Sequence, residues 1–116
     1  MSESTPAPSK YFVSRQTGSH HEIFPGVHIW TNSGERMMLS LVEFEPGAVV
    51  LEHSHPHEQA GLLLDGELTF TIGDETRVLC PGDMWRIPGG VPHRAVAGDA
   101  KVRALDVFHP IREDYR

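Results

Sequence analysis

The chain has 116 residues, 39% of them hydrophobic, and a formal net charge of −6. That length suits one compact domain with its own apolar core, while a pI near 5.7 argues against nucleic acid or an anionic membrane surface as partner. The single cysteine, Cys80, excludes an internal disulfide and fits a reducing compartment.

Residues 1–9 are Ser-, Thr-, Pro- and Glu-rich and predict a mobile tail, which leaves 10–116 as the domain. The N-terminus has no apolar signal core, and no apolar run is long enough to span a bilayer, so a cytoplasmic protein is expected. Tyr11-Phe12-Val13 reads as a first short strand. Ile23-Phe24 and residues 27–30 are β-type runs split by Pro25-Gly26, and Thr31-Asn32-Ser33-Gly34 reads as a turn. Residues 37–44 alternate as a strand that Glu45-Pro46-Gly47 ends. Residues 48–53 form the next strand, followed by a loop through Pro56-His57-Glu58. The apolar run 59–64 closes on Asp65-Gly66, a hairpin signal. Residues 67–72 alternate in period two. Residues 76–79, 84–87, 93–97 and 102–108 are the remaining strands, separated by turns such as Pro81-Gly82-Asp83 and by the rigid loop 88–92. No stretch keeps a helical period. Many short strands between Gly and Pro turns predict an all-β sandwich or barrel.

Three of the eight histidines fall within His53-Ser54-His55-Pro56-His57. On an extended strand His53 and His55 point to the same side. Neutral imidazoles are common ligands of divalent transition metals, and His93 stands in a later Pro-Gly turn. His57 follows a proline in a loop and suits the rim or a supporting position. His20, His21 and His28 read as structural or exposed.

The first motif runs Gly47, five residues, His53, one residue, His55, three residues, Gln59, six residues, Gly66. The second runs Gly82, five residues, Pro88, one residue, Gly90, two residues, His93. Together they resemble the paired motifs of the cupin superfamily. The resemblance implies a double-stranded β-helix (jelly-roll) barrel holding one divalent metal through His53, His55, Gln59 and His93. The metal stays open among Ni, Mn, Fe, Co and Zn. Gln59 stands where the family usually has glutamate, with Glu58 one residue earlier, and Ala97 stands where an asparagine is frequent. Both the spacing to Gly66 and strand parity select Gln59 over Glu58. Three imidazoles and one amide are all neutral, so the metal would keep its full charge and act as a Lewis acid. That set is one step from the two-His-one-carboxylate triad of iron oxygenases, which lowers oxygenase chemistry without excluding it.

In Leu105-Asp106-Val107-Phe108, Asp106 and Phe108 share one strand face. If Leu105 and Val107 pack outside, Asp106 and Phe108 look inward. Arg112, beyond Pro110, could fold back and clamp a carboxylate. This tail and the two motifs resemble the small pectin-degradation cupins that linearise unsaturated monouronates. The resemblance implies Asp106 as acid/base, Arg112 on the uronate carboxylate and Phe108 against the sugar ring. Arg86 is either a second, inward carboxylate contact or solvent-exposed. The expected function is a metal-dependent isomerase-type enzyme that turns a cyclic 4,5-unsaturated monouronate, from pectin or alginate, into its linear keto form. The rivals are another cupin enzyme (a lyase or dioxygenase) and a non-enzymatic sugar- or metabolite-binding cupin. Small cupins often pair by exchanging edge strands, so a homodimer involving segment 11–13 is expected.

Overall fold

A computed structural model describes residues 7–116; residues 1–6 of the expected tail lie outside it. Ten strands follow in chain order: β1 (Ser19–Phe24), β2 (Val27–Ser33), β3 (Met38–Phe44), β4 (Val49–His53), β5 (Glu58–Asp65), β6 (Leu68–Ile72), β7 (Glu75–Leu79), β8 (Met84–Ile87), β9 (His93–Ala97) and β10 (Val102–His109). Among the described residues, two short 3-10 turns flank the strands, Arg15–Thr17 before β1 and Glu113–Tyr115 after β10. The strands form a six-stranded sheet, ordered β1-β2-β3-β10-β5-β8, and a four-stranded sheet, ordered β4-β9-β6-β7. Every pairing is antiparallel.

Alternation in the sequence becomes alternation of burial. Val27, Ile29, Val42, Phe44, Leu63 and Ala104 from the large sheet face Val50, Leu68, Phe70, Ala95 and Ala97 from the small one. Antiparallel sheets that bury one face each stabilise a sandwich in this way. Gly66 makes the β5–β6 hairpin at φ +88°, and a Cβ there would fall 2.6 Å from the Lys101 carbonyl oxygen.

Two expectations fail. Tyr11-Phe12-Val13 belongs to no strand, and its side chains are 84%, 82% and 48% exposed. Three β-prone residues cannot hold a strand position without a partner edge. Thr31-Asn32-Ser33 is not a turn but the end of β2, in register with Ser40, Leu39 and Met38. Its polar composition hid that pairing. The reversal starts only at Gly34, whose N–H donates to the Met37 carbonyl at 2.7 Å.

Candidate metal centre and catalytic pocket

Strands β4 and β9 place His53 directly opposite His93, and His55 follows two residues beyond β4. The three imidazoles converge, with one nitrogen from each within 4.8 Å of the others. His55 and His93 are buried. The Nδ1 atoms contact only backbone carbonyl oxygens: His53 that of Leu51 at 2.9 Å, His55 that of His57 at 3.0 Å, and His93 that of Val91 at 2.9 Å. A carbonyl only accepts, so each Nδ1 carries the proton and each Nε2 keeps its lone pair. Orienting bonds of this kind are what metal-ligating histidines use. His57 thus serves through its backbone, as a support to His55.

Two further observations fit a cation among these nitrogens. Nε2 of His93 is buried with no hydrogen-bond partner. Nε2 of His55 lies 3.0 Å from Oε1 of Gln59, where two lone pairs would face each other. The amide cannot simply flip, because its NH2 donates to the Asp106 carboxylate. A shared cation removes both conflicts, and His53, His55, Gln59 and His93 are the residues that would hold it. Burial pushes His93 down to about 4, with smaller lowering from His53, His55 and Arg112. Burial, and then Arg112, also lowers His55. Both rings are therefore neutral, as ligands must be.

A cavity of about 550 Å³, counting its open mouth, lies between the sheets. His53, Gln59, His93, Asp106, Phe108 and Arg112 all line it. The inward parity of β10 therefore holds: Asp106 and Phe108 face the cavity. Asp106 Oδ1 accepts from Trp85 Nε1 at 3.0 Å. Burial pushes Asp106 up to about 6, against the lowering effects of Gln59, Trp85 and Arg112. A carboxylate with a pKa in this range can take and return a proton near neutrality.

Arg112 is 8% exposed and folds back over the cavity. Asp114 grips it, with Nε to Oδ1 at 3.3 Å and Nη2 to Oδ2 at 2.8 Å. Its guanidinium carbon sits 3.9 Å from the Tyr115 ring centre and 5.3 Å from that of Phe108. The Tyr115 carbonyl is itself held by Thr31 Oγ1 and by His21 Nε2. The C-terminal segment is thus a strap pinned across the mouth.

Arg86 does not belong to this set. On β8 it alternates with the buried Trp85 and Ile87, so it is exposed and absent from the cavity wall. Strand parity makes the inward residue Trp85. Sequence reading also missed Asp114 and Tyr115. The Arg-x-Asp spacing was visible, but nothing local to it shows that the strap closes over the barrel.

Gly61 explains how Trp85 reaches Asp106. A Cβ on Gly61, Trp85's partner across β5–β8, would fall 2.2 Å from the indole. Gly61→Ala is expected to destabilise the fold by about 1–3 kcal/mol and to displace the indole from Asp106. Chemical denaturation checks the first effect, and the Trp85 indole N–H resonance checks the second.

No curated protein matches the sequence. Among solved structures, KdgF from Halomonas sp. is 31% identical with a TM-score of 0.77, over 82% of this chain and 90% of that one. An RmlC-like cupin from Shewanella frigidimarina is 27% identical with a TM-score of 0.83, over 93% of this chain and 97% of that one. Oxalate decarboxylase from Bacillus subtilis is 21% identical with a TM-score of 0.81, over 96% of this chain and 33% of that one, and shares the fold. The Cupin domain pattern matches residues 40–108, which span β3 to β10 and include His53, His55, Gln59 and His93. With more than half its length matched and its two sheets closing on a histidine-lined cavity, the chain belongs to the cupin family.

Proposed function

We propose that the protein is an isomerase that opens the ring of a 4,5-unsaturated monouronate and releases its linear keto form. The observation that carries this reading is the meeting of a proton carrier, Asp106, and a carboxylate clamp, Arg112, in the cavity that His53 and His93 of the histidine cluster line. The likeness to KdgF supports it.

The reaction moves a proton and leaves oxidation state unchanged. The C1 hydroxyl loses its proton, the bond from C1 to the ring oxygen breaks, and C1 becomes an aldehyde. The ring oxygen leaves as an enol at C5, which becomes a ketone when C4 takes up a proton. Asp106 starts as the carboxylate, accepts the C1 hydroxyl proton and delivers one to C4. Trp85 and Gln59 hold it for that task. A metal bound by His53, His55, Gln59 and His93 would supply Lewis-acid polarisation of a substrate oxygen. Arg112 pairs with the uronate carboxylate, and the edge of Phe108 packs on the ring. Asp114 and Tyr115 orient Arg112 before substrate arrives, which lowers the cost of ordering it.

The test supplies unsaturated monouronate freshly released by a lyase and follows the absorbance of its conjugated enol. The protein is expected to accelerate the decay with no dioxygen uptake. Dioxygen consumption by Fe(II)-loaded protein, or no acceleration with any of the divalent metals, contradicts the reading. Arg112→Lys is expected to raise KM about tenfold or more, with a smaller change in kcat, because a point charge replaces a planar fork. Steady-state kinetics on the same substrate check this.

A further inference from the structure

The strap across the cavity mouth brings in one polar group to which the chemistry above gives no task. Tyr115 lines the cavity together with Asp106 and Arg112. Its backbone carbonyl accepts from His21 Nε2 and Thr31 Oγ1. Its ring carries the Arg112 guanidinium carbon 3.9 Å from its centre and meets the Phe108 ring edge-on, with centres 6.0 Å apart. The ring is therefore fixed, and its hydroxyl stands beside the guanidinium. The phenol oxygen accepts a hydrogen bond from Arg112 and lies close enough to Asp106 to feel its charge. An oxygen that accepts from a guanidinium still has its own O–H to give. Burial pushes the phenol's pKa up against the lowering effect of Arg112, with further raising by Asp114 and Asp106, so that proton stays in place at neutral pH.

Ring opening creates a charge that needs such a donor. When the bond from C1 to the ring oxygen breaks, its electron pair stays on that oxygen. The oxygen is an enolate on C5 until C4 takes up its proton. Much of the cavity wall is apolar, with Ile23, Ile29, Val42 and Val50 among its residues, and a negative charge left without a donor there is costly.

We propose that the Tyr115 hydroxyl is a catalytic hydrogen-bond donor that stabilises the C5 oxygen as the ring opens. This rests on the reading of the protein as a uronate isomerase. The connectivity of the substrate brings that oxygen to Tyr115. The carboxylate carbon and the ring oxygen are both bonded to C5, so a carboxylate paired with Arg112 holds the ring oxygen next to the guanidinium. The same oxygen is bonded to C1, whose hydroxyl proton goes to Asp106. It therefore lies between the groups served by Arg112 and Asp106, the two residues the phenol itself senses. In sequence, the C1 hydroxyl proton passes to Asp106 and the C1–O bond pair passes to the ring oxygen. Tyr115 donates a hydrogen bond to that oxygen and keeps its proton. C4 then takes the proton from Asp106 as the C5 ketone forms. Nothing is oxidised or reduced, and a donor already set by the strap costs no reorganisation at that moment.

Tyr115→Phe tests this. It deletes only the hydroxyl and keeps the ring against Arg112 and Phe108 and the backbone carbonyl on Thr31 and His21. On fresh unsaturated monouronate, kcat is expected to fall about 10²–10³-fold, with KM changed by less than about threefold. Affinity for the methyl glycoside of galacturonate, a uronate whose ring cannot open, is expected to stay within the same margin by calorimetry. A Tyr115→Phe protein with wild-type kcat overturns the inference and leaves the isomerase reading intact. So does a loss confined to KM and glycoside affinity, which would make Tyr115 a support for Arg112 only. A wild type that does not accelerate the decay overturns the isomerase reading, and the inference with it.

Discussion

Asp106→Asn is expected to lower kcat by about 10²–10⁴-fold while leaving bound metal unchanged. The amide oxygen can still accept from Trp85 Nε1, so that contact survives, but the side chain cannot carry a proton. The pH profile gives a second reading. In the proposed reaction Asp106 begins as a carboxylate, and its pKa is raised to about 6. The wild-type kcat/KM should therefore fall as pH drops below that value. A cation held by the neighbouring histidines favours the carboxylate and moves the limb lower, never higher. In Asp106→Asn the limb should vanish. The same substitution should stabilise the metal-free protein at pH 7. The unfolded carboxyl titrates near 3.8 and the folded one near 6, so above pH 6 the fold bears the full cost of a buried charge. That cost is up to ~3 kcal/mol. It disappears as pH falls below 3.8, where both states are protonated. Urea denaturation of the metal-free proteins at pH 7 and near pH 4 measures the gain and its loss.

His93→Ala is expected to cost about a hundredfold or more in metal affinity and to abolish turnover. His93 is the histidine of the second motif, buried and without another partner for Nε2. Metal at ~100 times Kd stabilises a folded protein by ~2.7 kcal/mol, so the wild type should show a clear rise in Tm on adding Zn, Ni or Mn. In His93→Ala that rise should be absent at the same concentration. Elemental analysis after dialysis gives the independent check. The metal-free protein also carries a pH signature. His93 is held near 4 against an unfolded value of 6.5, so stability is lost as pH falls through that window and the unfolded chain takes up a proton. Asp106 contributes the opposite sign over nearly the same range. Asp106→Asn should therefore be more acid-sensitive than wild type between pH 6 and 4.

The strands β3 to β10 were legible because their alternation is strong and their turns carry Gly and Pro. Fixed spacings within the motifs made the histidine cluster legible too. His53 and His55 are two residues apart, and Gln59 has the inward parity in β5. Asp106 and Phe108 followed from β10 parity once Leu105 and Val107 were taken as outward. What stayed hidden depends on pairing between distant strands. Thr31–Ser33 looked like a turn because its residues are polar, yet β3 recruits them. Tyr11–Val13 looked like a strand, yet no edge pairs with it. Arg86 drew notice for its charge, while the strand's alternation turns Trp85 inward instead. The hydrogen bond from Trp85 to Asp106 needs β5, β8 and β10 side by side, with Gly61 leaving room for the indole. No local signal encodes that arrangement.

In the proposed reaction Asp106 relocates a proton to C4 within a cavity lined by His53 and His93. Turnover of fresh unsaturated monouronate in D2O, read by NMR at C4, tests this most directly. Rapid conversion is expected, with deuterium on one face of C4 only, and that rate should be lost in Asp106→Asn with metal retained. Deuterium spread equally over both faces, or an Asp106→Asn protein as fast as wild type, would contradict it.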